Sequence, residues 1–111
     1  MFVRIYTGED GQSHFEDLDL DKGPVEWTKM QDAKGVSFRQ QKPGYFSDWH
    51  QAPRRQYVIT LAGGVEIGLG DGTKKRFGPG DVLLADDLTG KGHTTRVISD
   101  ETRITVTIPL A

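Results

Sequence analysis

The apolar positions of this chain recur mostly with a period of two, in short runs separated by glycine, proline and aspartate. Val65-Glu66-Ile67-Gly68-Leu69 alternates strictly, which sets Val65, Ile67 and Leu69 on one face of a strand. Arg103 to Ile108 alternates as well, with Ile104, Val106 and Ile108 against Arg103, Thr105 and Thr107. Asp71-Gly72 is a two-residue hairpin signal, so Lys74 to Phe77 is expected to return as a polar, edge-like strand. Further strands are expected over 3–6, 36–40, 57–61, 82–85 and 94–98, with an extended segment over 13–20 whose Phe15, Leu18 and Leu20 fit neither period. Trp27 and Met30 stand at helical spacing within 25–33, but that run is short and is equally readable as irregular chain. Turn chemistry sits at Asp21-Lys22-Gly23-Pro24, Pro43-Gly44, Ala62-Gly63-Gly64 and Gly78-Pro79-Gly80-Asp81, and 86–92 reads as a long polar loop. Roughly eight to ten short strands with frequent turns predict an antiparallel all-β sandwich or barrel.

Composition narrows this picture. At 111 residues the chain holds one domain and one core. The high glycine count, 14, favours a turn-rich β protein over a helical bundle. A formal charge of −2 with both signs interspersed excludes the basic footprint of a nucleic-acid binder, and no polybasic run addresses a membrane surface. The absence of cysteine excludes disulfides, zinc-thiolate sites and thiol nucleophiles. Residues 1–6 lack the apolar core of a signal peptide and no apolar run is long enough to span a bilayer, so the expectation is a soluble cytoplasmic protein.

The candidate chemistry lies in two clusters. Pro43-Gly44-Tyr45-Phe46-Ser47-Asp48-Trp49-His50-Gln51-Ala52-Pro53-Arg54-Arg55-Gln56 runs into a strand that ends at Gly63-Gly64, and Gly78-Pro79-Gly80-Asp81 leads through Val82-Leu83-Leu84 and a loop to His93. Together they resemble the paired motifs of the cupin superfamily. The first motif of that family is Gly, five residues, His, one residue, His, three or four residues, Glu, six residues, Gly. Here Gly44 is followed after five residues by His50, the second His position holds Ala52, the Glu position holds Gln56, and six more residues lead to Gly63. His93 is the histidine available to the second motif, after a slightly longer loop than is usual. The resemblance covers about 38–97, with 1–35 left as N-terminal strands or arm, and it is similar to small single-domain bacterial members.

The resemblance implies an all-β double-stranded β-helix (jelly-roll) barrel, open at one end, and a homodimer. It implies a small-molecule ligand in the barrel and a metal set of His50, Gln56 and His93 for Fe, Mn, Ni, Zn or Cu. Ala52 supplies no ligand and Gln56 only a neutral amide oxygen, so a metal-free, non-catalytic sensor or carrier barrel stands beside a metal-dependent enzyme as an alternative. Arg54 and Arg55 are candidates for gripping an anionic ligand, or else form a solvated rim or ion pairs with Asp86 or Asp87. Trp49 and Tyr45 can wall a pocket or pack in the core, and Asp86 and Asp87 can orient His93 or be solvated. Alternation leaves the first strand after the motif open. If Gln56, Val58 and Thr60 face inward, the more apolar Tyr57, Ile59 and Leu61 face out and call for a dimer partner, unless a bulge near Arg55 resets the register. In the other arrangement Tyr57 faces the ligand.

Overall fold

The computed structural model describes residues 1–23 and 28–111. In chain order the strands are β1 (Phe2–Thr7), β2 (Ser13–Asp17), β3 (Ser37–Gln41), β4 (Phe46–His50), β5 (Gln56–Ala62), β6 (Val65–Gly68), β7 (Lys74–Phe77), β8 (Val82–Asp86), β9 (His93–Val97) and β10 (Arg103–Pro109). They form a six-stranded sheet, β2-β1-β8-β5-β10-β3, and a four-stranded sheet, β4-β9-β6-β7. Pairing is antiparallel except between β1 and β8. The described residues contain no helix, and the expected run over 25–33 lies partly in residues 24–27, outside the described ones.

The Asp71-Gly72 turn forms as its chemistry requires. Gly72 takes a left-handed φ of 90°, and the Asp71 carboxylate accepts a hydrogen bond from the Thr73 amide at 2.8 Å. That bond, with the Thr73 side chain next, lowers the Asp71 pKa. The strictly alternating β6 buries Val65, Ile67 and the following Leu69. They pack with Val3 and Ile5 of β1, Leu83 and Ala85 of β8 and Phe77 of β7 in one apolar cluster. The interior is therefore apolar where β1 and β8 face β6 and β7. It turns polar where β5, β10 and β3 face β9 and β4: there the buried side chains are Gln56, Thr60, His93, Thr95, Arg103, Thr105 and Thr107.

This polarity inverts the usual reading of an alternating strand. On β10 the polar set Arg103, Thr105 and Thr107 faces inward, and Ile104, Val106 and Ile108 are half-buried on the outer face. β5 follows the same rule. Gln56 is the inward residue and Tyr57 is not: the phenol donates to Gln31 Oε1 at 2.8 Å and its ring meets Phe2 edge-on at 5.9 Å. Tyr57 is thus covered by the chain's own β1 and arm, whereas Leu61 stays 50% exposed. No bulge occurs at Arg55; the register of β10 against β5 shifts instead between Ile104 and Thr105.

One strand is not announced by the sequence pattern. In β4 the apolar Phe46 and Trp49 are three apart, which breaks a period of two. The cause is a register shift against β9: Ser47 pairs with Thr95 and His50 pairs with His93, so three steps on β4 match two on β9. The extra residue resets the alternation. Phe46 faces outward under the Arg96 guanidinium at 4.3 Å, Ser47 faces inward, and the bulge returns His50 to the inner face.

Candidate functional site

The polar half of the interior is a cavity of about 390 Å³ between the two sheets. At one end stand the two histidines, their ring centroids 4.4 Å apart and nearly perpendicular. The bulge in β4 aims His50, and Gly92 allows His93 to reach it. Gly92 has a φ of 77°, and a Cβ there would lie 2.0 Å from the His50 carbonyl oxygen, so only glycine lets the loop pack on β4 at this point.

Each imidazole is held through Nδ1. His50 Nδ1 lies 2.7 Å from the Asp48 carbonyl oxygen, an acceptor, so Nδ1 carries the hydrogen there; the Ser47 hydroxyl is also near, at 3.1 Å. His93 Nδ1 donates to Asp87 Oδ2 at 2.5 Å, and the Ser13 hydroxyl donates to the same oxygen at 2.7 Å. Asp87 is 0% exposed, and its other oxygen, Oδ1, has no hydrogen-bond partner among the described residues. Both Nε2 atoms are thereby left as lone-pair acceptors. Asp87 orients His93, while its neighbour Asp86 takes the opposite face of β8 and is bound by Arg4 at 2.9 Å and Arg55 at 3.4 Å.

Further along the cavity lies a group the motifs do not mark. Arg103 is only 7% exposed, yet among the described residues its guanidinium has one acceptor, the Gln41 amide oxygen at 2.9 Å, and no carboxylate partner. Its Nε is buried without an acceptor. Loss of hydration, and then the nearby positive charge of Arg39, push the Arg103 pKa down to about 10. Arg39 lines the same cavity from β3, level with Thr105. Tyr45, Ser47, Thr95, Thr105 and Thr107 supply hydroxyls between the histidines and the arginines, and Val58, Ile67 and Leu83 supply the apolar wall.

The cavity brings together His50, Gln56 and His93, as the motif spacing predicts. It does not take in the four residues expected to hold a ligand. Arg54 is exposed beside a separate surface groove, Arg55 is paired to Asp86, and Tyr57 faces outward. Trp49, 42% exposed, lies on the outer face of β4 under the Lys91 ammonium at 4.4 Å. The causes differ: Arg54 and Arg55 lie in the connection before β5, Tyr57 alternates with the inward Gln56, and the β4 bulge turns Trp49 out so that His50 can turn in. His14 stands apart, half-exposed and bonded to Asp10 at 3.0 Å. The signal that finds Arg103 is the polar face of β10 itself, once the interior is known to be polar.

Comparison with family models finds no match, and neither does comparison with curated proteins. Comparison with solved structures finds the double-stranded β-helix. A Cupin 2 conserved barrel domain protein from Salinispora arenicola matches with a TM-score of 0.55 at 22% identity, over 68% of this chain and 61% of that one. The DMSP lyase DddQ from Ruegeria pomeroyi matches at 0.57 and 18% identity, over 73% of this chain and 40% of that one. A cupin-superfamily sugar phosphate isomerase from Silicibacter pomeroyi matches at 0.56 and 17% identity, over 92% of this chain and 60% of that one. In all three the match takes in less than two thirds of the other protein's length. The chain has the cupin fold. Among the described residues no helix is long and apolar enough to cross a membrane.

The donor set argues against a resident divalent cation. It offers two imidazole nitrogens and the neutral Gln56 amide, and among the described residues no group of three or more His, Cys, Asp or Glu side chains is placed to hold a metal ion. Two guanidinium groups line the same cavity toward its other end.

Proposed function

We propose that the protein binds a small organic molecule in this cavity and moves a proton on it without a metal, with His93 as the general base and acid. The observation that carries this reading is the buried Asp87 carboxylate on His93 Nδ1, which presents the Nε2 lone pair and stabilises the imidazolium that protonation creates. The substrate class is a carbonyl compound with a hydrogen on the adjacent carbon. That C–H bond breaks, its proton goes to His93 Nε2, and its electron pair forms the enolate as the carbonyl π pair moves onto oxygen. The Gln56 amide can donate to that oxygen. Return of the proton from His93 to carbon restores the ketone, and its return to oxygen gives the enol, so no oxidant is consumed. Of the fold neighbours, one is an isomerase and one a lyase, so the same barrel serves as an enzyme scaffold elsewhere.

The test is proton exchange in D₂O. 2-Oxobutyrate incubated with the protein in the presence of EDTA is expected to lose its C3 protons, by ¹H NMR, faster than in buffer. His93→Gln should return the rate to background. Asp87→Asn should cut it at least about 100-fold, and ¹⁵N NMR should show the His93 proton moved from Nδ1 to Nε2. A rate that His93→Gln leaves unchanged overturns the assignment.

A further inference from the structure

We infer that the ligand of this cavity carries a carboxylate, and that Arg103, with Arg39 beside it, is the site that holds it. The inference rests on the cavity being the ligand site, and it adds the anionic class and the residues that select it. Three observations point the same way. Arg103 is buried on the polar face of β10, inside the cavity wall, with a single amide oxygen as its partner among the described residues. A buried guanidinium of this kind is ordinarily paired, because desolvation without a counter-charge is costly. A second positive group, Arg39, is near enough to add its repulsion, and neither arginine has a carboxylate partner among the described residues. Nine-tenths burial, an Nε–H with no acceptor among the described residues and two like charges on one cavity make a site suited to an external anion.

The layout decides what kind of anion fits. Gln41 occupies one Nη of Arg103 from β3, which fixes the plane of the fork. Arg39 lies two residues along β3 from Gln41 and is level with Thr105, so it closes on the same group from the open side. The histidines are further along the strands: Gln56, beside them, is paired with Pro109, six residues along β10 from Arg103. A ligand that engages both ends is therefore extended, with its carboxylate among Arg103, Arg39 and Gln41 and its reactive carbon toward His93. The threonine hydroxyls of β10 and β9 between them suit polar substituents on the connecting atoms. Arg54 and Arg55, the arginines next to the sequence motif, take no part.

The experiment is titration calorimetry with 2-oxobutyrate and phenylpyruvate as carboxylate probes and 2,3-butanedione as a neutral one. Wild-type protein is expected to bind at least one carboxylate probe and not the dione. Arg103→Met should weaken binding at least about 30-fold, Arg39→Met several-fold, and Arg54→Ala not at all. Circular dichroism of each variant separates loss of the site from loss of the fold, and Arg103→Lys, which keeps the charge but not the fork, should bind weakly. Binding that survives Arg103→Met and Arg103→Lys within about two-fold overturns the inference, as does equal affinity for the dione, as does binding of neither carboxylate probe. Carboxylate binding lost in Arg103→Met without any C3 exchange leaves this site standing and removes the proton-transfer reading instead. Exchange that continues undiminished in Arg103→Met does the reverse.

Discussion

Replacing Arg103 by methionine should make the free protein more stable while removing its ligand site. Burial and the Arg39 charge bring the Arg103 pKa from the usual arginine value to about 10. Each pH unit is worth about 1.4 kcal/mol, so keeping the cation in place costs on the order of 3 kcal/mol. Against this stands the hydrogen bond to Gln41, a charge-assisted contact of about 1.5–3 kcal/mol, part of which water restores because Gln41 is half-exposed. Methionine nearly matches the aliphatic length of arginine and leaves no unpaired donor, and replacing buried charge by a well-packed apolar side chain is often stabilising. The expected net gain is about 1–2 kcal/mol. For a chain of this size that raises the melting temperature by about 4–8 °C in calorimetry. The sign with pH follows from the direction of the shift. A base whose folded pKa is depressed binds fewer protons in the folded than in the unfolded state between the two values, so wild-type stability rises through that interval. The advantage of Arg103→Met is therefore constant well below pH 10 and shrinks above it. A melting temperature that falls by several degrees at neutral pH, in a variant that still folds, would show that the guanidinium is fully satisfied within the chain and would refute the reasoning.

Gly92→Ala should cost about 2–4 kcal/mol and uncouple the histidines, because a Cβ there meets the His50 carbonyl oxygen at 2.0 Å on a left-handed backbone; urea unfolding and the loss of exchange activity check it, and a near-neutral result would place the loop elsewhere. The outer face of the six-stranded sheet leaves Phe38 70% and Leu61 50% exposed, with Ile59, Ile104 and Val106 half-buried beside them. We expect a homodimer closed on that face: light scattering should give twice the 12.3 kDa chain mass, and Phe38→Glu should give a monomer. A monomeric wild type would leave this face without a partner.

Much of the architecture was legible in the residues. Period-two runs, Asp71-Gly72 and the glycine turns located most strands, and the spacing from Gly44 through His50 to Gln56 and Gly63 located the histidine end of the cavity. These are local properties: a hairpin turn and an alternating run state their own conformation. What the sequence could not state is which face of a strand looks inward, since alternation defines two faces and leaves their assignment to the opposing sheet. On β5 and β10 the polar faces turned in, because there the interior is a cavity and not a packed core. The β4 bulge moved His50 inward and Trp49 outward by one residue, a shift defined only by pairing with β9. His93 of β9 and Arg103 of β10 line the two ends of one cavity, and Asp87, from the loop after β8, holds His93. The sequence alone thus determined a turn-rich β barrel with a histidine site. Only the tertiary structure decided that this site is a polar cavity with a buried guanidinium that has no carboxylate partner among the described residues, because burial and counter-charge depend on strands distant in the chain.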